Sequence, residues 1–438
     1  MDLRLAMRVE RDSQIAFVGA GGKTTAIFKL ARQLQPPVFI TTTTHLACSQ
    51  ASIADKHVEW IKRGISPDFN TLLKSGIVLI TSGPGEENRL KGLSNPVLSE
   101  LHQFCLNHRI PLLIEADGAR QLSLKVPAEY EPAIPEFANH TVVLAGLSAI
   151  GKPLSSNTVH RSEKYSKITG KHSGEIIQSE DFAAILRHPE GGLKNVPISS
   201  RKTLILNQAE NIDPVSIIRP VIQNSIDYFD SVIVAELQHD KVYSVHEKSS
   251  GIILAAGASE RYGEPKQLTL WKGKPLIRHV VESALASPLS EVIVVIGAVI
   301  NPLLEILKDL PITIVRNQNW QEGQSTSIQI GLDQVNQHSG AALFLLCDQP
   351  QIPVNLIDEI LRVHTFSLAP IIAPEFEGQR GNPVLFDRVT FSSLRNIKGD
   401  KGGRAIFRKF SPLLFPWNDS RILLDIDKPE DLAGIPPE

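Results

Sequence analysis

Cysteine is scarce in this 438-residue chain, which contains only Cys48, Cys105 and Cys347. The three lie far apart and no C-x-x-C pair occurs. Disulfide frameworks and cysteine-rich zinc sites need even, closely spaced sets of cysteines, so neither is expected here. We therefore expect a protein of a reducing compartment, and we assign it to the cytoplasm.

The chain also lacks a strong net charge and a long apolar run. Its 45 basic and 47 acidic side chains leave a net charge of −2, which gives no basic field to attract nucleic acid or an anionic membrane. No uninterrupted apolar stretch is long enough to span a bilayer, and residues 1–14 lack the apolar core of a signal peptide. We expect no nucleic-acid partner and no membrane partner.

The length exceeds what one typical core supports, so the chain is expected to form two domains. We place them at residues 1–247 and 248–438. Short apolar runs alternate with helical patterns in both halves, which predicts two α/β domains with mostly parallel sheets. The last strand of the first half is expected to end near Leu237, before a polar junction.

A glycine-rich loop, Gly19–Thr25, follows the first predicted strand and precedes a helix expected from about Ala26. Such a P-loop-like arrangement offers backbone N–H groups and a helix N-terminus to phosphate, and either ATP or GTP would suit it. The usual P-loop spacing would need Gly where Phe17 stands, so this is a compressed variant. The predicted nucleotide-binding residues are Gly21, Gly22, Lys23, Thr24 and Thr25.

Acidic and hydroxyl side chains follow later strands of the first half. Asp117 comes just after an apolar strand and is the first candidate to hold Mg²⁺ with Thr24, while Glu115 is the second. The run Thr41–Thr44 could serve a metal or a phosphate, although threonine also simply favours strands.

A second loop, Gly251–Lys266, reads G-I-I-L-A-A-G-A-S-E-R-Y-G-E-P-K. Small residues at the strand end allow a ligand close to the backbone, and Arg261 and Lys266 stand where two cations could meet a triphosphate. We predict these two cations to be catalytic. The predicted nucleotide-binding residues here are Leu254, Ala255, Ala256 and Gly257.

Asp348 stands two residues after a fully apolar strand, where open α/β sheets place ligands. Helix capping is the simpler role for such an aspartate, but Pro350 and Pro353 separate it from the next helix. We therefore predict that Asp348 is a catalytic residue and a metal ligand.

The first half resembles the selenium-dependent hydroxylase accessory family. The resemblance covers about residues 10–240 and lies in the motifs G-A-G-G-K-T-T, T-T-T-T, E-A-D-G-A-R and K-V-P-A-E-Y-E-P. It implies a nucleotide-binding accessory domain that assists the maturation of a molybdenum hydroxylase.

The second half resembles molybdenum cofactor cytidylyltransferases through L-A-A-G-A-S-E-R-Y-G-E-P-K, R-G-N-P-V-L-F, G-D-K-G-G-R and D-I-D-K-P-E-D-L. The related guanine dinucleotide synthases typically carry Gly in place of Ala256, and Tyr262 replaces the usual Met. The resemblance implies a Rossmann-like domain that uses CTP and Mg²⁺. It also assigns Ser325 to the nucleotide, Asp427 (or Asp425) to the metal, and Arg380, Asn382 and Arg404 to the pterin substrate.

The implied reaction transfers CMP from CTP to the molybdenum-pterin cofactor and releases pyrophosphate. The implied partners are that cofactor and a molybdenum hydroxylase apoenzyme. Two alternatives stay open at this point: a sugar-phosphate nucleotidyltransferase, and a non-catalytic carrier or insertase that binds nucleotide and cofactor for delivery.

Overall fold

The structure is a computed structural model that describes residues 1–60, 69–259 and 262–434. Two compact units are present, unit 1 at Met1–His246 and unit 2 at Glu247–Glu438. Each unit is built around one large, mostly parallel β-sheet with helices, so the expected α/β class is confirmed. No helix in the described ranges is long and apolar enough to cross a membrane.

The central sheet of unit 1 has nine strands in the order β13-β12-β11-β9-β1-β7-β2-β5-β4. All neighbours run parallel except β13, which is antiparallel to β12. The strands of unit 1 are β1 (Gln14–Gly19), β2 (Val38–Thr42), β3 (His45–Ala47), β4 (Lys56–Glu59), β5 (Ile77–Thr81), β6 (Arg89–Lys91), β7 (Leu112–Glu115), β8 (Leu124–Lys125), β9 (His140–Gly146), β10 (Val159–His160), β11 (Arg201–Asn207), β12 (Ser231–Glu236) and β13 (Lys241–His246).

Helices cover the faces of this sheet, which explains why its central strands are continuous apolar runs rather than alternating ones. Every residue of β9 and of β5 is buried. The helices of unit 1 are α1 (Leu3–Ala6), α2 (Lys23–Gln33), α3 (Asn95–His108), α4 (Ser162–Thr169), α5 (Ser179–Arg187) and α6 (Arg219–Gln223).

Two elements of unit 1 differ from the sequence-based expectation. Helix α2 begins at Lys23 rather than near Ala26, because Gly22, with φ 123°, ends the loop and the next residue is already helical. Strand β13 was not expected, since residues 241–246 are mostly polar. It is an edge strand paired on one side only, where a hydrophobic pattern is not required.

The sheet of unit 2 has the order β18-β17-β14-β19-β22-β20-β21, with β23 also paired to β20. Strands β18, β17, β14 and β19 are parallel, whereas β22 is antiparallel to both of its neighbours. The strands of unit 2 are β14 (Ser249–Ala255), β15 (Leu270–Trp271), β16 (Lys274–Pro275), β17 (Glu291–Ile296), β18 (Thr313–Arg316), β19 (Ala341–Leu346), β20 (Ile371–Phe376), β21 (Gln379–Arg380), β22 (Val384–Asp387) and β23 (Leu413–Pro416).

Apolar cores cover both faces of this second sheet. The helices of unit 2 are α7 (Leu276–Leu285), α8 (Asn301–Leu307), α9 (Gln324–Gln334), α10 (Val354–Ser367) and α11 (Phe391–Leu394). The carboxyl ends of β14 and its neighbour β19 lie side by side, so the loops that follow them meet at one edge of the sheet. Ligands of open α/β sheets bind at such edges.

Candidate active site

In unit 1, the loop after β1 closely approaches the backbone of neighbouring segments. A Cβ atom on Gly21 would lie 2.4 Å from the backbone N of Gly146, and Gly21 has a φ of 79°, so only glycine fits there without strain. The loop leads directly into α2, whose first residue, Lys23, is buried. The sequence-predicted phosphate loop thus has the strand–loop–helix geometry that presents N–H groups to an anion.

A cavity of about 450 Å³ opens at this loop. All five residues predicted to bind nucleotide in unit 1, Gly21, Gly22, Lys23, Thr24 and Thr25, line it. Arg89 and Arg120 add two further cations to its wall. The cavity therefore combines a helix N-terminus with three basic side chains, which suits a polyphosphate.

Asp117 is fully buried and engaged by two lysines. Its carboxylate lies 3.1 Å from the Nζ atom of Lys23 and 2.8 Å from that of Lys125, and it accepts a hydrogen bond from the N–H of Gly19. It does not line the 450 Å³ cavity. As the structure stands, Asp117 holds the loop lysine rather than offering an open site to a metal.

Glu115, the second acidic candidate, does line this cavity. The hydroxyl of Thr24 donates to its Oε2 atom over 3.2 Å, and the amide of Gln50 donates to Thr24 Oγ1 over 2.8 Å. Burial raises the pKa of Glu115 and the nearby Asp117 adds to that shift, although Lys23 opposes it. A divalent cation beside Thr24 would relieve this cost, so the geometry favours Glu115 over Asp117 as the metal ligand.

The threonine run at the end of β2 is partly structural. The hydroxyl of Thr41 donates to the carbonyl of Ile80, and the hydroxyl of Thr42 donates to the carbonyl of Glu115. Both hydroxyls are therefore occupied by neighbouring strands. This outcome agrees with the simpler interpretation of these two threonines.

In unit 2, the loop after β14 is held by a residue that the motif comparison did not single out. The Gln267 side chain is buried, and its amide donates to the carbonyls of Ala255 and Gly257 over 3.2 and 2.7 Å. Of the four loop residues predicted to bind nucleotide, Leu254, Ala256 and Gly257 line the adjoining cavity, whereas Ala255 does not. Arg261, predicted to be catalytic, lies outside the described residues.

Lys266 joins the loop to the acids at the strand ends. Its Nζ atom lies 2.5 Å from Asp348 Oδ2 and 3.3 Å from Asp427 Oδ1. Burial by itself would lower the pKa of Lys266, but the carboxylate of Asp348 outweighs burial and raises it. The three predicted residues are thus together, with a cation already lying between two carboxylates.

Two cavities meet in unit 2. The larger, of about 860 Å³, is lined by the loop after β14 together with Lys266, Asp348 and Asp427, and we call it the nucleotide cavity after the ligand that the sequence predicts there. The smaller, of about 330 Å³, is the acceptor cavity. Both cavities are lined by Leu254, Gln324, Leu346 and Arg404. A ligand in one cavity can therefore be adjacent to a ligand in the other.

The three residues assigned to the substrate, Arg380, Asn382 and Arg404, all line the acceptor cavity. Burial lowers the pKa of the Arg380 guanidinium, and the nearby charge of Arg404 lowers it further, which shows that two cations are crowded together. The aromatic rings of Phe344, Phe386 and Phe407 form another wall, and Arg380 lies over the ring of Phe407. This arrangement suits an anionic group attached to a flat heterocycle.

Ser325 is buried and lines neither cavity. Its neighbour Ser327, on the same helix α9, lines the nucleotide cavity instead, together with Trp320 and Asp400. Ser325 and Ser327 both belong to the segment 322–327, which reads E-G-Q-S-T-S, so the sequence offers either serine as a nucleotide-binding residue. Trp320 lies outside every motif. The geometry therefore favours Ser327 within this segment.

Comparison with known proteins relates each half of the chain to a known group. Residues 15–163 match the family model described as YqeC protein, and residues 251–413 match the MobA-like NTP transferase domain. The chain is 31% identical over 225 residues to the uncharacterised protein YqeC of Escherichia coli strain K12, a match that covers 50% of this chain and 86% of that protein.

Two further relatives have names other than YqeC. One is the nicotine blue oxidoreductase of Paenarthrobacter nicotinovorans, 28% identical over 196 residues, with 42% of this chain and 95% of that protein covered. The other is a probable molybdenum cofactor guanylyltransferase of Bacillus mycoides strain KBAB4, 29% identical over 138 residues, with 32% and 66% covered. The chain thus belongs to the YqeC family through its first half, and its second half is a nucleotidyltransferase with a MobA-like NTP transferase domain.

Proposed function

We propose that unit 2 transfers CMP from CTP to the terminal phosphate of the molybdenum-pterin cofactor. The observation that carries this proposal is the junction of the two cavities at Arg404. One cavity has the phosphate loop and the acids that suit a nucleoside triphosphate. The other pairs two guanidiniums with aromatic rings, which suits a phosphorylated pterin. The relative named as a probable molybdenum cofactor guanylyltransferase supports the same acceptor.

In the proposed reaction, a phosphate oxygen of the pterin attacks the α-phosphorus of CTP. A new P–O bond forms, the bond between the α-phosphorus and the bridging oxygen breaks, and pyrophosphate leaves. No covalent enzyme intermediate is required, because the attacking phosphate is already ionised. The protein contributes alignment of the two substrates and compensation of their negative charge.

The described side chains divide this work between the two cavities. Lys266 would contact the triphosphate from the loop side, and Arg404, which lines both cavities, would contact the acceptor phosphate beside the nucleotide. Arg380 would hold the acceptor phosphate from the opposite cavity. Arg261 remains a proposed second cation of the loop.

The hard oxygens of Asp348 and Asp427 fit Mg²⁺, and Lys266 already marks the space between them as favourable for positive charge. Within the described parts of the chain, Asp348, Asp425 and Asp427 do not bring three ligand oxygens within 4.8 Å of one another. We therefore propose that the triphosphate supplies the remaining ligands. When bound, Mg²⁺ would neutralise phosphate charge.

Unit 1 is proposed to be a nucleotide-binding domain that assists maturation of a molybdenum hydroxylase. The basic cavity at the Gly19–Thr25 loop supports binding of ATP or GTP. Thr24 and Glu115 supply oxygens that fit Mg²⁺, and the Oε1 atom of Gln50 is buried beside them without a hydrogen-bond partner. The hydroxylase apoenzyme is the proposed recipient of the finished cofactor.

CTP is proposed over GTP because Ala256 lines the nucleotide cavity where guanine dinucleotide synthases typically carry Gly. The test is to supply the purified full chain with the molybdenum-pterin cofactor and each of the four ribonucleoside triphosphates, and to identify products by mass. CTP should exceed GTP in kcat/KM by at least about tenfold. Equal use of GTP would remove the CTP assignment.

The same assay separates the alternative functions. A panel of sugar phosphates in place of the pterin cofactor would give products if the chain were a sugar-phosphate nucleotidyltransferase. Binding of CTP and cofactor without pyrophosphate release would instead indicate a carrier or insertase.

A further inference from the structure

Asp425 lines the acceptor side of the junction, whereas the two neighbouring acids, Asp348 and Asp427, line the nucleotide cavity. It lines the acceptor cavity and is not among the residues of the nucleotide cavity, whereas Asp348 and Asp427 show the reverse pattern. Although Asp425 and Asp427 are separated by one residue, they therefore serve different cavities. Asp425 can therefore meet a ligand of the acceptor cavity, although burial raises the pKa of its carboxyl and the nearby charges of Asp348 and Asp427 raise it further.

The carboxylate of Asp425 is fixed on one side and open on the other. Its Oδ1 atom accepts a hydrogen bond from the Gln349 amide over 2.8 Å. No described residue donates a hydrogen bond to Oδ2, and neither Arg380 nor Arg404 is within ion-pair distance of it. An anchored carboxylate with a free oxygen remains in a cavity that also contains two unneutralised guanidiniums.

The cavity thus presents complementary surfaces to three parts of one ligand. The guanidiniums of Arg380 and Arg404 match a phosphate, and the rings of Phe344, Phe386 and Phe407 match a flat heterocycle. A carboxylate accepts hydrogen bonds and donates none when ionised, so it matches neighbouring N–H donors on that heterocycle.

We propose that the carboxylate of Asp425 accepts two hydrogen bonds from the acceptor's heterocycle. The donors are the adjacent N3–H and exocyclic 2-amino N–H groups of a 2-amino-4-oxopteridine. This inference rests on the proposed function, because it specifies how the same acceptor is recognised. Two parallel N–H groups can meet a carboxylate in the same forked geometry that arginine uses. A ring with an oxo group at position 2 would instead place its carbonyl oxygen against a carboxylate oxygen of Asp425, and both of these atoms only accept hydrogen bonds.

The proposal is tested with two free pteridines and the full chain, in the absence of CTP. The probes are pterin, which carries the 2-amino group, and lumazine, which carries a 2-oxo group in its place. Equilibrium titration should show that the wild type binds pterin at least about tenfold more tightly than lumazine. In the complex, an acceptor that faces another acceptor loses a hydrogen bond and gains repulsion, which accounts for that magnitude.

Asp425→Asn should reverse this preference, so that lumazine binds more tightly than pterin. The asparagine oxygen still accepts from N3–H, while its amide NH₂ now donates to the 2-oxo group of lumazine. Because Asp425 is exposed to the cavity, the variant is expected to fold, and a thermal unfolding curve checks this. Asp333→Asn removes an equal charge from the surface of the same unit, outside both cavities, and should leave the pterin preference in place.

The outcomes separate this inference from the proposed function. An unchanged ratio of pterin to lumazine affinity in Asp425→Asn, or failure of both probes to bind the wild type, would overturn the role of Asp425. CMP transfer to the cofactor could still be observed in either case. Conversely, Asp425→Asn could reverse the preference for pterin over lumazine while the wild type transfers no CMP. That result would support recognition of the pteridine by Asp425 and overturn the proposed transferase reaction.

Discussion

Replacement of Asp348 by Asn is the most direct test of the site in unit 2. The Oδ2 atom of Asp348 lies 2.5 Å from the ammonium of Lys266, and the two side chains are only 18% and 16% exposed. Asparagine keeps the shape and one oxygen but removes the charge. The fold should survive, because Asp348 stands after the end of β19 at the rim of a cavity rather than in the core.

The expected loss follows from the position of the pair. Removing one preorganised electrostatic contact from an active site typically lowers the rate about 10²- to 10³-fold, or roughly 3–4 kcal/mol of transition-state stabilisation. A fully exposed pair would contribute only about 0–1 kcal/mol. In this shielded pair, removal of one partner leaves the other charge uncompensated, which is the costly event. A neutral amide is also a poorer ligand for Mg²⁺ than a carboxylate.

The assay is pyrophosphate release at saturating CTP and cofactor across a Mg²⁺ titration. Asp348→Asn should lower kcat, and added Mg²⁺ should recover part of the loss if occupancy limits the rate. Asp333→Asn is a matched control, since Asp333 pairs with Arg395 on the surface of the same unit and is 61% exposed. A folded Asp348→Asn protein with a near-wild-type rate and Mg²⁺ dependence would remove Asp348 from the site.

Three further predictions concern unit 1 and the independence of unit 2. Lys23→Ala should weaken binding of ATP or GTP at least about tenfold while transfer by unit 2 persists, because Lys23 lines only the cavity of unit 1; unchanged affinity in a titration would contradict the loop assignment. Burial by itself would raise the pKa of Glu131, but Lys125 and Arg161 outweigh burial and lower it. The ionised carboxylate therefore stabilises the fold above the ordinary pKa of 4.5, and this stabilisation is lost as the pH falls through the lowered pKa. Glu131→Gln should flatten the acid limb of a stability–pH curve, and an unaltered limb would refute that linkage. The fragment Glu247–Glu438 should fold and retain CMP transfer, and loss of transfer in a demonstrably folded fragment would show that both units are needed.

The sequence predicted the α/β class and the two loops well because short glycine-rich turns between apolar strands leave a strong local signal. It offers Asp117 first and Glu115 second as metal ligands, and the order along the chain does not show which carboxylate a lysine will contact. Only the fold brings Lys125 to within 2.8 Å of Asp117. Contacts of this kind depend on residues distant in sequence or on backbone geometry.

The same limit explains the residues that were missed. Gln267 acts through two backbone carbonyls, and carbonyl positions carry no sequence signature. Strand β13 has no continuous apolar run, and it forms through antiparallel hydrogen bonding to β12 at the edge of the sheet. By contrast, Arg380, Asn382 and Arg404, which the resemblance assigns to the substrate, line one cavity although Arg404 is well separated from the other two in sequence.

In each unit, a lysine at the predicted phosphate loop is paired with an aspartate that follows a neighbouring strand. We expect this pairing to make nucleotide binding depend on a divalent cation. In unit 1 the loop lysine, Lys23, is held by Asp117, which follows the strand beside β1. In unit 2 Lys266 is held by Asp348, which follows the strand beside β14. In unit 2 a phosphate group must compete with Asp348 for Lys266, and a carboxylate that loses its partner costs free energy unless another cation replaces it. In unit 1 Lys125 remains 2.8 Å from Asp117, so the carboxylate that needs a cation beside a bound phosphate is Glu115, which lines the cavity.

Mg²⁺ is therefore expected to raise nucleotide affinity in both units, although the two loops differ in kind. Titrations of ATP or GTP and of CTP, each with Mg²⁺ and with chelator, measure this coupling in the intact chain. The expected gain is at least about tenfold in each case, a coupling free energy of roughly 1.4 kcal/mol. Equal affinities with and without Mg²⁺ would show that phosphate binds without leaving these carboxylates in need of a cation. The acids would then be structural partners of the loops rather than part of the binding reaction.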